Sequence, residues 1–112
     1  MSRLFSNETM PQYAWDGQVS SITLDAPVDS AYSRSVDVLR AMNFILDKTE
    51  TRRQAATGRV AGAKANHTVV LILLEEKTPG KTLCRVRVGT VGDRTGSERI
   101  LDEIQKSLRK KS

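Results

Sequence analysis

Residues 82–108, T-L-C-R-V-R-V-G-T-V-G-D-R-T-G-S-E-R-I-L-D-E-I-Q-K-S-L, read as a strand, a glycine-rich corner and an amphipathic helix. Thr82, Cys84, Val86 and Val88 alternate with Leu83, Arg85 and Arg87, the two-residue period of a strand with one buried face. Gly89 and Gly92 supply backbone freedom where the chain reverses. Thr95-Gly96-Ser97-Glu98 fits a capping box, with Thr95 accepting from the free N–H groups of the first turn and Glu98 reaching back. Ile100, Leu101, Ile104 and Leu108 recur at helical spacing, so one face of this helix must be covered.

Upstream, residues 68–76 carry the strongest strand pattern. Val69, Leu71 and Leu73 fall on one face and Val70, Ile72 and Leu74 on the other. Both faces are apolar, so the strand is expected to be central, with something covering each side. Thr78-Pro79-Gly80-Lys81 puts Pro and Gly at the middle positions of a type II turn, implying an antiparallel hairpin into the final strand. Residues 56–65, A-T-G-R-V-A-G-A-K-A, form a strand of small residues in which Gly58 and Gly62 mark a bulge or a close backbone approach. Asn66-His67 reads as a turn, Arg52-Arg53-Gln54 as a polar corner, and residues 44–51 as a strand with Phe44 and Leu46 apolar.

Asp25-Ala26-Pro27 opens a helix, because proline's missing N–H has no partner in the first turn and Asp29 suits the positive end. Val28, Ala31, Tyr32, Ser35, Leu39 and Met42 make its buried face, with Val36 near the edge, and Asn43 closes it in the left-handed conformation. Residues 18–24 form a short strand with Ser20, Ile22 and Leu24 on one side. Residues 1–17 have no sustained period and read as an irregular N-terminal arm, which Tyr13 and Trp15 tie in part to the body.

The expected order is β-α-β-β-β-β-α over residues 18–112: a single α+β domain, a two-layer sandwich of antiparallel sheet with two helices on one face. The second face of the sheet is then left for the arm, the favoured cover, or for another copy of the protein.

At 112 residues the chain is one domain with a modest core. Hydrophobic content of 38% and charged content of 28% argue against a disordered or membrane-embedded chain. The longest apolar run, Val69 to Leu74, falls far short of the roughly 20 residues a membrane-spanning helix needs. The formal charge of +5 favours an acidic partner, although Arg109-Lys110-Lys111 supplies part of it and opposes the last helix's dipole. Cys84 is the sole cysteine, which rules out an intramolecular disulfide and a thiolate zinc site and suggests a buried, inert thiol. Residues 1–7 lack the apolar region of a secretory signal. The expected location is the cytoplasm, or the cell envelope if a leader has been removed.

Five arginines are candidates for binding an anion or a partner: Arg59, Arg85, Arg87, Arg94 and Arg99. Arg94 and Arg99 flank the glycine corner, where a phosphate loop could sit. The corner matches neither a Walker A loop nor G-x-G-x-x-G, and Asp93 would repel an anion, so a structural turn before a capped helix is the better reading. Arg85 and Arg87, with Arg52, Arg53, Arg59 and Lys64 on neighbouring strands, would form a basic stripe if the registers align. Nucleic-acid-binding sheets pair such charges with stacking aromatics, and aromatics are only 4% of this chain. Glu50, Glu75 and Glu76 are available to pair across strands, so a solvated, partly salt-bridged face outweighs a nucleic-acid platform. His67 is the only histidine, with no nucleophile in a recognisable context. No catalytic residue, metal ligand or cofactor is expected.

Residues 84–93, C-R-V-R-V-G-T-V-G-D, followed by S-E-R-I-L-D-E-I at 97–104, resemble a bacterial family of small lipoprotein-like proteins of unknown function. Asp25-Ala26-Pro27-Val28 fits the family's strand-to-helix entry, and the likeness covers about Gly17 to Leu108. The front of the chain departs from the pattern, with no signal peptide and no lipid-accepting cysteine. The resemblance implies an envelope-facing, non-enzymatic domain and carries no catalytic residues. The expected function is therefore a small interaction module whose partner is another protein or a second copy. Nucleic-acid binding through the basic face is one alternative. A small-ligand pocket between sheet and helix, where the small side chains of residues 56–65 leave room, is the other.

Overall fold

Alternation turns into a sheet as soon as one set of side chains finds cover. The computed structural model describes residues 13–111, with side chains as far as Arg109. Its elements are β1 (Ala14–Trp15), β2 (Ser20–Leu24), α1 (Val28–Ala41), β3 (Ile45–Leu46), β4 (Arg52–Gln54), β5 (Thr57–Ala63), β6 (Val69–Thr78), β7 (Lys81–Val88) and α2 (Arg94–Lys111). The seven strands form one antiparallel sheet in the order β1-β2-β7-β6-β5-β3, with β4 also pairing β5. This is the expected α+β order with two short strands, β1 and β4, added.

The register lines up Ser20, Val86, Ile72 and Val60 across four strands, and all four are fully buried. Ala31 and Leu39 of α1 and Ile100, Leu101 and Ile104 of α2 close over the same side of the sheet. Burying each large aliphatic side chain there contributes about 1.5–3 kcal/mol. Val38, left off the expected helical face, is buried as well. The polar groups in this layer are satisfied: the hydroxyls of Ser20 and Ser97 lie 2.9 Å apart, and Thr82 Oγ1 donates to the Ala26 carbonyl at 2.7 Å.

Three local expectations are corrected. Helix α2 is capped by Asp93 rather than Thr95: Asp93 Oδ1 accepts the Gly96 N–H at 3.1 Å, and its carbonyl accepts the Ser97 N–H at 2.9 Å. Asp caps at least as well as Thr, and the sharp corner before it starts the helix two residues early. Glu98 turns instead to Arg94, 3.0 Å away and one helical turn back. Gly92 makes this corner, with φ of 91° and no room for a side chain, since a Cβ would fall 2.6 Å from Gln18 Cα.

The strand expected over residues 44–51 is confined to β3, because Asp47 Oδ1 accepts the Thr49 and Glu50 N–H groups at 3.0 and 3.2 Å and bends the chain away. The polar corner Arg52-Arg53-Gln54 is in fact β4, an exposed edge strand that pairs β5. Asn43 and His67 do adopt left-handed conformations, at φ of 71° and 70°.

Helix α1 is entered at Pro27, whose side chain provides no cap. Glu76 of β6 supplies it from 48 residues away, Oε1 accepting the Val28 N–H at 2.9 Å. Oε2 of the same carboxylate accepts the Gly80 N–H at 2.9 Å in the β6–β7 turn. These two backbone donors hold the Glu76 carboxyl below the usual glutamate range.

Tyr13 donates to Gln105 Oε1 at 3.2 Å, and β1 pairs with the edge of β2. Burial, with Asp102 and Glu98 nearby, pushes the Tyr13 phenol up to about 12. The described end of the arm thus extends the sheet sideways; the expected cover by residues 1–12 lies outside the described residues. The expectation that both faces of β6 are covered fails among the described residues. Val70, Ile72 and Leu74 are buried, whereas Val69 is 38% exposed and Leu71 and Leu73 are half-buried on the open side.

Truncating each face of β6 tests this asymmetry. Ile72→Ala should cost about 2–5 kcal/mol in urea denaturation and Leu73→Ala less than about 1.5 kcal/mol. Equal costs would mean that the open face is covered in solution. For Glu76, a folded-state pKa below the unfolded one gives a stabilisation present at neutral pH and lost as pH falls through the folded value. Glu76→Gln should lower the denaturation midpoint at pH 7 and flatten its decline in the acid range below the usual glutamate value.

Candidate partner-binding face

Side chains on the open face follow from the same register as the core, shifted by one residue. Arg85 of β7 stands opposite Ser21 of β2 and Leu73 of β6; Leu73 stands opposite Arg59 of β5, and Arg59 opposite Arg52 of β4. One row therefore reads Ser21–Arg85–Leu73–Arg59–Arg52, and the next carries Arg87, Leu71 and Ala61. With strands about 4.8 Å apart, Arg85 and Arg59 are separated by about 10 Å across Leu73.

These guanidinium groups are differently engaged. Arg59 Nε lies 3.1 Å from Glu50 Oε1, an ion pair that lacks the N–H alignment of a hydrogen bond. Arg52, Arg85 and Arg87 form no ion pair within 4.0 Å among the described residues. Shallow hollows lie between them. One of about 310 Å³ has Arg52, Arg59 and Arg85 around Leu73 and Leu83; another of about 300 Å³ sets Arg85 and Arg87 beside Trp15, Leu71 and Leu73.

The five candidate arginines separate into two groups. Arg59, Arg85 and Arg87 share the open face, whereas Arg94 and Arg99 stand on α2, on the covered side of the sheet. Arg94 is paired with Glu98, and Arg99 lines a separate hollow with Phe44 and Lys64. Two further members of the expected stripe also leave it. Arg53, opposite Gly58, points its guanidinium at Asp29 of α1, 2.9 Å away, and Lys64 Nζ sits 5.0 Å above the Phe44 ring. Of the three glutamates expected to neutralise the stripe, Glu50 alone does so. Glu75 pairs with Lys77 at 3.3 Å, and Glu76 is committed to backbone.

Elsewhere the chemistry is quiet. Cys84 is fully buried, and burial pushes its thiol up to about 12. Among the described residues no three His, Cys, Asp or Glu side chains gather where they could hold a metal ion. No helix among them is long and apolar enough to cross a membrane.

Sequence reasoning missed the exposure of Ile45, which is 73% accessible on the short edge strand β3. The only signal was its place between Phe44 and Leu46, since an alternating strand cannot turn all three inward.

Residues 13–107, from the start of the described arm to the last turns of α2, match a family described as protein of unknown function (DUF3568). Comparison with curated proteins gives no match.

If the arginine rows serve a partner rather than the fold, their loss should leave the fold untouched. Arg85→Ala and Arg87→Ala should each leave the urea midpoint unchanged within error, because solvated surface charges add little to stability. A large drop would assign them a structural role.

Proposed function

The chain belongs to the DUF3568 family of proteins of unknown function, and on that premise we propose that it is a non-enzymatic interaction module whose open sheet face docks an acidic, partly apolar segment of another protein. The observation that carries this is the row Arg85–Leu73–Arg59, in which guanidinium groups alternate with an uncovered leucine. Arginine and apolar surface side by side match a partner that brings both carboxylates and aliphatic side chains.

The competing readings fit the row less well. A nucleic acid would set phosphates or sugars against Leu71 and Leu73, and the face offers Trp15 at its border but no platform of aromatics for base stacking. A second copy stacked face to face would oppose arginine to arginine, which is repulsive. A bacterial envelope location is part of the proposal, supported by the likeness of residues 84–93 and 97–104 to lipoprotein-like proteins.

The test is the mass of the protein in solution, across concentration and salt, with an amphipathic peptide of Glu and Leu or with a mixed-sequence oligonucleotide of similar charge. The peptide should form a complex at physiological salt that Arg85→Glu and Arg87→Glu abolish. A salt-sensitive complex with the oligonucleotide alone would overturn the reading in favour of nucleic acid. A mass that rises with protein concentration alone would overturn it in favour of self-association.

A further inference from the structure

Where α1 passes over β3, on the covered side of the sheet, the edge of the sandwich is left partly open. Tyr32 and Val36 of α1 face Phe44 and Leu46 across a groove of about 540 Å³, within the size range of small-molecule sites. Tyr32, Val36 and Arg40 are spaced four residues apart, so they form one stripe along α1. The facing wall exists because Asn43 reverses the chain at φ of 71° and returns it as β3 antiparallel to β5.

Gly62 sets how deeply β3 can seat. A Cβ there would fall 2.9 Å from the Ile45 carbonyl oxygen, so the backbones approach as only glycine allows. Leu46, opposite Gly62, is thereby held on the groove side of β3, while Ile45, opposite Ala63, turns to the open face with nearly three quarters of its surface (73%) in solvent.

The groove's charge is one-sided. Arg40 and Lys48, both exposed, line it, and no carboxylate does. Neighbouring acids are committed elsewhere: Asp37 to Arg34 at 3.6 Å, Asp47 to the backbone N–H groups of Thr49 and Glu50, and Glu50 to Arg59. Neither Arg40 nor Lys48 forms an ion pair among the described residues. A concave apolar wall with cations and no acid beside it calls for a ligand with a hydrocarbon chain and a negative head. On the open face, by contrast, cations interrupt the row Arg85–Leu73–Arg59.

We propose that the groove between α1 and β3 binds a single-chain anionic amphiphile, its chain against Val36, Phe44 and Leu46 and its head group drawn by Arg40 and Lys48. Binding covers Leu46 and neutralises the two cations in one step. The site is independent of the acidic-partner reading, because it shares no residue with the row Arg85–Leu73–Arg59.

The probe is octanoate, titrated into the intact chain below its micellar concentration while methyl resonances are followed, with 1-octanol as the uncharged comparison. Saturable shifts should appear at Val36 and Leu46, with Ile45, Leu71 and Leu73 unmoved. Arg40→Glu and Lys48→Glu should each weaken octanoate by about two- to fivefold, the range for a solvent-exposed charge pair. Octanol should bind more weakly than octanoate and be indifferent to both changes. Val36→Asp, at a half-buried position on the outer side of α1, should abolish the Leu46 shifts while leaving the buried Ile72 methyls where they were. Absence of saturable shifts would overturn the proposal. So would octanol binding as well as octanoate with the charge reversals silent, or shifts confined to the open face. Displacement of octanoate from these methyls by the Glu–Leu peptide would overturn it in favour of a protein partner at the groove.

Discussion

Ile72 lies fully buried between Val60 and Val86, with Ser20 completing the row beneath the two helices, and that alignment leaves the sheet one workable register. Side chains on a strand alternate, so a slip of one residue would exchange the two faces. Arg59, Arg85 and Arg87 would then enter the core as charges with no acidic partner within it, at a desolvation cost far above what the exchanged leucines could offset. The arginine rows are therefore a second product of the constraint that builds the core. No separate device positions them.

What the sheet cannot fix by itself is how the helices are held against it, and single polar groups do that across long stretches of chain. Glu76 joins the first turn of α1 to the β6–β7 hairpin, so a helix start and a strand turn share one carboxylate. Thr82 ties β7 to the Ala26 carbonyl just before that helix, and Ser20 and Ser97 meet where β2 passes beneath α2. Gly92 lets the α2 corner rest directly on Gln18. Each contact satisfies a polar group that burial would otherwise leave unpaired, so their worth lies in the penalty avoided as much as in the bond formed.

The two surfaces left over differ in how charge meets apolar area. Across the open face guanidinium groups and leucines alternate at strand spacing, a pattern suited to an extended partner that alternates in kind. Along α1 and β3 the apolar residues are contiguous and the cations stand beside them, which suits a compact ligand with its charge at one end. The groove relies on an absence of free acidic neighbours that is itself structural, since Asp37, Asp47 and Glu50 are each bound to something else.

The sequence by itself determined the long elements. The alternation in β6 and β7, the helical spacing of Ile100, Leu101 and Ile104, and the Pro79-Gly80 turn are local patterns, and local sterics and burial enforce them wherever the chain goes. It also marked Gly62 and Asn43 as special backbone positions. It misread β4, because a strand exposed along its length has no burial to impose an alternation. It misplaced the α2 cap, because the Asp93-Arg94-Thr95-Gly96-Ser97 segment offers three competent caps within five residues. Only the tertiary structure decided that the adjacent Arg52 and Arg53 face opposite sides, that Glu76 serves a helix 48 residues before it, and that β6 is covered on one face alone. Each of these depends on which strands pair and in what register. Contacts between residues far apart in the chain set that choice, and no local period encodes it.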